Sequence, residues 1–285
     1  MPYPWNLTRR TALGGALAAA ALVRARPLAA SVPDRMRAYE VGEPSGGEIA
    51  LRMVERPVPQ PGPGQALLKI HATGLNARDL QLMRRVRIYG GSGDRATLVP
   101  LDDNACEVVA LGPEATRFAV GERVAVTHFP LWIDGPWDDD TMSTVDFSVN
   151  TDGFLAEYIV VDESGLVRIP EHLSYVEASA FPNAGLTAWN AVVERGGVRP
   201  GETVVTLGSG GVSVFCLQWA KLIGARVAIT SSSDEKLARL RELGADITVN
   251  YRTHPDWYAE FRAQNGGRGA DAVMNTVGIS ELENS

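Results

Sequence analysis

The sequence predicts an α/β protein in which a β-barrel domain precedes an incomplete, doubly wound parallel sheet. Three observations carry this prediction. Residues 36–161 contain short apolar runs separated by Gly and Pro, and residues 203–275 alternate between β and α patterns. A glycine-rich turn joins the first strand and the first helix of that alternation. The corresponding division of the chain is a leader at 1–30, a barrel domain at 31–170 and a parallel-sheet domain at 171–285.

The first thirty residues have the pattern of an export signal. Arg9 and Arg10 precede the apolar stretch 14–23, which is too short to span a membrane as a helix. The arginine pair is typical of twin-arginine export, and Leu28-Ala29-Ala30 is an imperfect cleavage site. We therefore expect a periplasmic or exported protein, and a cytoplasmic one if the leader is not used.

The composition indicates a folded, acidic protein. Hydrophobic residues make up 45% and charged residues 21% of the chain, as in ordinary globular proteins. The net charge of the chain is −7. The only charged side chains of the leader are arginines, so the chain that follows the leader is more acidic than the whole. An acidic surface disfavours nucleic acids and anionic membranes as partners. Two cysteines, Cys106 and Cys216, are too few for a disulfide framework or a Cys-rich zinc lobe.

The first domain is predicted from strands at a regular spacing. The segment 57–64 alternates Pro with other residues and must be a turn region rather than a helix or a central strand. Strands are predicted at 65–72, 106–111 and 121–126, and a long loop at 130–152. This arrangement favours a partly open, mostly antiparallel barrel.

The second domain begins after Pro170. Ser174 and Glu177 have the spacing of a capping box and predict a helix start. The alternation that follows predicts strands at 203–207, 226–230, 247–249 and 271–275, and helices at 211–223, 234–243 and 255–264. A six-stranded doubly wound sheet requires two further β–α units, so we expect a truncated domain.

A dinucleotide site is predicted at the glycine turn. Residues 208–213 match G-x-G-x-x-G with Ser213 in place of the third glycine. Gly208 permits the tight turn, and Gly210 lets the backbone approach a pyrophosphate. The start of the helix, at Gly211 and Val212, presents free N–H groups and the positive end of its dipole to phosphates.

The end of the second strand favours NADP(H) over NAD(H). An NAD enzyme usually has Asp or Glu about 20 residues after the glycine turn, to bind the ribose hydroxyl. Thr230 and Ser231 stand there instead, and Lys236 lies in the next helix, where it can neutralise a 2′-phosphate. The alternative is that Lys236 is an ordinary exposed lysine.

Taken together, the motifs of residues 36–279 resemble those of the medium-chain dehydrogenase/reductase superfamily. Beyond the glycine turn, four segments carry the resemblance: 74–79 (GLNARD), 120–124 (VGERV), 153–158 (GFLAEY) and 184–189 (AGLTAW). The resemblance implies a GroES-like β-barrel catalytic domain followed by a Rossmann domain, with the active site in the cleft between them.

The positions that hold zinc in the metal-dependent members differ here. Those enzymes use a Cys, a His from a Gly-His-Glu triplet and a second Cys, where this chain has Asn76, Asp102-Asp103-Asn104 and Asn183. Without thiolates and an imidazole we expect no zinc in that geometry. His71 and His128 are expected to pack or to cap. The resemblance therefore narrows to the zinc-free quinone oxidoreductase and enoyl reductase branch.

The resemblance implies hydride transfer from NADPH to a small conjugated carbonyl or quinone. In that interpretation Asn76 donates to the substrate oxygen and Tyr89 donates a hydrogen bond or proton, while Asp79 caps a helix. Three further positions match cofactor contacts in relatives: Thr187, Tyr251 and Asn275.

Several alternatives remain open at this point. Asn76 is also a common turn residue, and Tyr251 a common aromatic at a strand end. The whole chain can equally be a zinc-free alcohol dehydrogenase, or an inactive truncated NADP-binding protein. A homodimer is possible, although the sheet edge that would form it in relatives is missing.

Overall fold

The computed structural model describes residues 32–42, 51–84, 97–132, 134–136 and 145–278. The predicted leader at 1–30 and the predicted donor Tyr89 lie outside these ranges, so both stay predictions. Within the described ranges, no helix has the length and apolar character needed to cross a membrane.

The first domain is antiparallel, as predicted. A two-stranded sheet pairs β1 with β2, and a five-stranded sheet has the order β6-β3-β4-β5-β7. Phe154, Leu68 and Val124 belong to the buried cluster that fills this domain. The strands are β1 (Arg35–Val41), β2 (Leu51–Pro57), β3 (Gln65–Ala72), β4 (Ala105–Leu111), β5 (Arg123–Val126), β6 (Tyr158–Asp162) and β7 (Leu166–Arg168).

Four of these seven strands, β1, β2, β6 and β7, were not predicted individually from the sequence. β2 pairs with β1 over its whole length, yet its side chains are exposed or half-buried and show no clean alternation. Pro57, assigned from sequence to the turn region, is the last residue of this strand. The short helix α1 (Ala77–Met83) follows β3.

A long helical segment connects the two domains. After α2 (Tyr175–Ala178), the chain forms a π-helical turn at Phe181–Gly185, α3 (Leu186–Trp189) and a second π-helical turn at Asn190–Arg195. We call 181–195 the linker helix. The capping box predicted at Ser174 and Glu177 is present, with both reciprocal hydrogen bonds. Single π-turns of this kind often occur at functional sites.

The second domain is a parallel sheet of order β10-β9-β8-β11. This is the 3-2-1-4 order of a doubly wound dinucleotide-binding sheet, as predicted. The strands are β8 (Thr203–Thr206), β9 (Arg226–Ser231), β10 (Ile247–Asn250) and β11 (Ala272–Met274). The helices are α4 (Gly211–Ile223), α5 (Asp234–Glu242) and α6 (Trp257–Gln264).

The order of the strands fixes the place of a ligand crevice. β8 lies between β9 and β11: the chain runs from β8 through β9 to β10 on one side, and then crosses to β11 on the other side of β8. Ligands of open α/β sheets bind at this switch point, outside the carboxyl ends of the strands. The glycine turn after β8 and the loop after β11 meet there.

Candidate active site

The glycine turn has the geometry that a bound pyrophosphate requires. Gly208 has a positive φ of 79°, a backbone conformation that residues with a Cβ rarely adopt. Gly210 is extended, and a Cβ added to it would meet no atom within 4 Å. The N–H groups of Gly211, Val212 and Ser213 have no acceptor among the described residues. The turn therefore offers open space beside free helix N–H groups.

Ser213 fixes the glycine turn to the end of β8. It is buried, its hydroxyl donates to the Leu207 carbonyl (2.8 Å), and its Oγ lies 2.8 Å from Thr276 Oγ1. Thr276 Oγ1 donates to the same carbonyl, which ties the loop after β11 to the end of β8. Ser213, predicted in the third glycine position, thus joins helix to strand and does not point its hydroxyl into the open space.

The two hydroxyls predicted for the 2′-phosphate are both buried. Thr230 Oγ1 accepts from the Gly208 N–H (2.9 Å), and Ser231 Oγ is 2.9 Å from Ser209 Oγ. Ser231 is 1% exposed. They hold the glycine turn against β9. Three exposed side chains follow in the first turn of α5: Lys236 and the carboxylates Asp234 and Glu235.

The other predicted cofactor contacts lie at the same edge of the sheet or on the linker helix. Thr187 is exposed and donates to Asn183 Oδ1 (3.4 Å). Tyr251 follows β10 and is 42% exposed. Asn275 follows β11, where its Oδ1 accepts from the N–H groups of Val277 and Gly278.

The three positions that hold zinc in metal-dependent relatives form a hydrogen-bonded cluster here. Asn76 Nδ2 donates to Asp103 Oδ2 (2.7 Å), and the Asn183 backbone N–H donates to Asp103 Oδ1 (2.7 Å). Both carboxylate oxygens of Asp103 are therefore engaged, and Asn76 and Asn183 are carboxamides rather than thiolates. No group of three or more His, Cys, Asp or Glu residues suited to a metal occurs in the described parts of the chain.

A buried ion-pair network lies next to this cluster. Arg78 pairs with Asp102 through Nη1 and with Asp146 through Nη2 (2.8 Å). His128 Nδ1 is 3.0 Å from Asp102 Oδ2, and Asn183 Nδ2 donates to the same oxygen (2.6 Å). His128, expected from sequence only to pack or cap, therefore lies beside both carboxylates of this network. Sequence analysis missed Arg78 and Asp146 because they come from α1 and from a loop far along the chain.

The network leaves two neighbouring carboxyl groups with raised pKa values. Burial raises the pKa of Asp103 to about 6, against the hydrogen bonds that Asn76 and Asn183 donate to it. Burial likewise raises the pKa of Asp79 to about 6, although the Asn76 N–H donates to its Oδ2 (2.6 Å). This last bond is the helix-capping role predicted for Asp79.

Comparison with known proteins agrees with this architecture. A family model described as an alcohol dehydrogenase GroES-like domain matches residues 62–171, and one described as a zinc-binding dehydrogenase matches 211–285. A zinc-type alcohol dehydrogenase-like protein of Schizosaccharomyces pombe is 35% identical over 87% of this chain and 71% of its own length. The chain belongs to the medium-chain dehydrogenase/reductase superfamily. Members of this superfamily are NAD(P)H-dependent oxidoreductases.

Further members of the superfamily resemble the chain over the same region. A quinone oxidoreductase of Pseudomonas aeruginosa is 30% identical over 84% of this chain and 66% of its own length. Two solved structures superpose on it, an NAD-dependent alcohol dehydrogenase (TM-score 0.76, 37% identity, 87% and 73% of the two chains) and a mycobacterial protein complexed with NADPH (0.69, 28%, 88% and 70%). The matches span 61–72% of the curated relatives' lengths.

Proposed function

We propose that this protein is an NADPH-dependent reductase of small conjugated carbonyls or quinones, and that it works without zinc. The observation that carries the proposal is the Asn76–Asp103–Asn183 cluster. It fills the place of the metal ligands with carboxamides and with a carboxylate whose two oxygens already accept hydrogen bonds. Zinc sites need thiolate, imidazole or carboxylate ligands that are free to coordinate.

The residues at the crevice fit a dinucleotide. The open space at Gly210 and the free N–H groups of Gly211 and Val212 suit a pyrophosphate, and Lys236 suits an additional phosphate. When bound, the reduced nicotinamide supplies the hydride. Asn275, in the loop after β11, and Thr187, on the linker helix, complete the proposed set of contacts.

The substrate oxygen needs a hydrogen-bond donor, because negative charge develops on it as the carbonyl is reduced. We assign this role to Asn76. Its Nδ2 carries two N–H groups, of which one donates to Asp103 and the other is left for a second acceptor. A neutral amide held by a carboxylate can thus take the place of a Lewis-acidic metal in polarising the substrate.

The proposal predicts reduction that survives metal removal. We expect the purified protein to oxidise NADPH with a benzoquinone or a short-chain enone, and to keep its rate after exhaustive dialysis against a zinc chelator. Absorbance at the NADPH band gives the rate, and elemental analysis gives the zinc content. Oxidation of primary alcohols that stops on chelation would contradict the proposal in favour of a zinc alcohol dehydrogenase.

The NADP(H) preference is tested at Lys236. We expect Lys236→Gln to raise the Kd for NADPH about tenfold, because a charge-assisted hydrogen bond contributes about 1.5 kcal/mol and each 1.4 kcal/mol is tenfold. The Kd for NADH should not change. Lys69→Gln, an exposed lysine on β3, is the charge-matched control. Equal loss for both cofactors, or tighter binding of NADH by the unaltered protein, would overturn the preference.

A further inference from the structure

Asp103 is fixed by hydrogen bonds to both its side chain and its backbone. Its side chain accepts from Asn76 Nδ2 and from the Asn183 N–H, one on each oxygen, and the residue is 2% exposed. Its backbone carbonyl accepts from Thr73 Oγ1 (2.5 Å) and from the Gly74 N–H (3.4 Å). The position of the carboxylate is therefore set by four donors from two parts of the chain.

The loop before α1 is built to approach this carboxylate. A Cβ on Gly74 would lie 2.9 Å from Asp103 Cβ and 3.0 Å from Asp103 Oδ2, so only glycine permits the contact without a shift. Asn76 follows two residues later, where Asp79 Oδ2 accepts from its backbone N–H. The backbone of Asn76 is thus fixed by Asp79 and its amide by Asp103.

The amide of Asn76 has two possible orientations, and two contacts favour the same one: its side chain accepts from the Asp79 backbone N–H in the capping box, and its Nδ2 donates to Asp103. A carboxylate accepts hydrogen bonds but cannot donate them, so Asp103 selects the orientation in which Nδ2 faces it. Other titratable groups surround the pair: Arg78 and Asp79 on α1, Asp102 beside it in the chain, and His128 after β5. Of the described residues, Asp103 alone accepts a hydrogen bond from the Asn76 amide.

We infer that Asp103 is the positioning residue that orients the Asn76 amide toward the substrate and, through Asn183, couples it to the linker helix of the cofactor domain. Asn183 connects the linker helix to the first domain, because its backbone N–H donates to Asp103 Oδ1 and its Nδ2 donates to Asp102 Oδ2. This inference rests on the proposed function. A residue that only stabilised the fold would not need the Asn76 amide to face in one direction, whereas the role inferred for Asp103 does.

Asp103→Asn tests the inference because it is isosteric and changes one acceptor into a donor. The Asn183 backbone N–H still needs the remaining oxygen, so the new NH2 group faces Asn76 and forces that amide to turn over. We expect kcat to fall about 100-fold, as for other small misplacements of a reacting group, and KM for the quinone and Kd for NADPH to change less than about threefold. A kcat within threefold of the unaltered protein would overturn the inference.

A swapped pair separates orientation from structural support. The double variant Asn76→Asp/Asp103→Asn keeps a hydrogen bond between the two positions and a carbonyl oxygen for Asn183, but removes the N–H available to the substrate. We expect thermal stability close to that of the unaltered protein and kcat as low as in Asp103→Asn. Recovery of kcat in the double variant would show that the pair is only structural.

A measurement without cofactor or substrate keeps this test independent of the proposed function. In 15N-labelled protein, we expect one Nδ2 proton of Asn76 to exchange slowly with solvent, and to exchange at least about tenfold faster in Asp103→Asn. The side-chain amide of Asn265, which donates to the Arg268 and Gly269 carbonyls, is the internal control. An unchanged Asn76 signal overturns the positioning role. Slow exchange in a protein that reduces no quinone or enone contradicts the proposed function alone.

Discussion

Replacement of Gly210 by valine is expected to weaken NADPH binding by on the order of 100-fold while leaving the fold intact. A Cβ at Gly210 meets no atom within 4 Å, and its φ of −81° and ψ of 176° suit valine, so the variant should fold. The added methyl groups occupy the space through which a pyrophosphate would reach the N–H groups of α4. Loss of two charge-assisted hydrogen bonds of about 1.5 kcal/mol each corresponds to a rise in Kd of on the order of 100-fold.

The matched control is Gly269→Val. A Cβ added to Gly269 also meets no atom within 4 Å, and its φ is not positive, but this glycine precedes β11, at the opposite edge of the sheet. We expect both variants to melt within about 2 °C of the unaltered protein, as for surface substitutions of less than about 0.5 kcal/mol. Titration of NADPH fluorescence gives the two Kd values. Tight binding by Gly210→Val would remove the glycine turn from the cofactor site.

The second domain was predictable because its signals are local. An apolar strand, a glycine turn and an apolar helix follow each other in the segment 203–223, and the structure has Thr203–Thr206 and Gly211–Ile223 there. The later elements agree within one or two residues at their ends, where helices fray and turns compete. The strand order then follows from the few topologies that right-handed β–α–β connections allow.

The roles of the polar residues at the strand ends were harder to predict. Sequence placed Thr230 and Ser231 together at the ribose, but both side chains are buried. The Gly208 N–H needs an acceptor inside the protein, and Thr230 Oγ1 provides it. A single sequence shows which residue ends a strand, but it does not show which backbone group will form a hydrogen bond with the hydroxyl of that residue.

The ion-pair network could not be predicted for a different reason. Arg78, Asp102 and Asp146 lie 24 to 68 residues from one another along the chain and come together only through the folded barrel. The sequence did contain one signal: Arg78 is a charged residue two positions after Asn76, at the start of the short helix α1. Paired charges of this kind follow no periodicity, so they are found only once the tertiary contacts are known.

Replacement of Arg78 by methionine is expected to destabilise the first domain strongly. Arg78 is 14% exposed in its side chain and is paired with Asp102, which is fully buried. Removing one partner of a buried ion pair leaves an uncompensated charge and typically costs about 3–5 kcal/mol. Urea unfolding at pH 7 measures this loss, and Arg239→Met, which breaks an exposed pair with Glu235, should cost less than about 1 kcal/mol.

The loss should depend on pH in a defined direction. Burial alone would raise the pKa of Asp102. The hydrogen bond from His128 and the charge of Arg78 outweigh this effect, so the pKa of Asp102 lies below its ordinary value. A lowered folded-state pKa stabilises the protein above the unfolded-state pKa, near 4, and this stability disappears as the pH falls through the folded-state value. The difference between Arg78→Met and the unaltered protein is therefore largest at neutral pH and shrinks below about pH 4.

The double variant Arg78→Met/Asp102→Asn shows whether the buried charge is the cause. With Asp102 neutralised, Arg78→Met leaves one carboxylate, Asp146, without its arginine instead of two, so the double variant should unfold at a higher urea concentration than Arg78→Met alone. If the two substitutions instead add, the network contributes only packing.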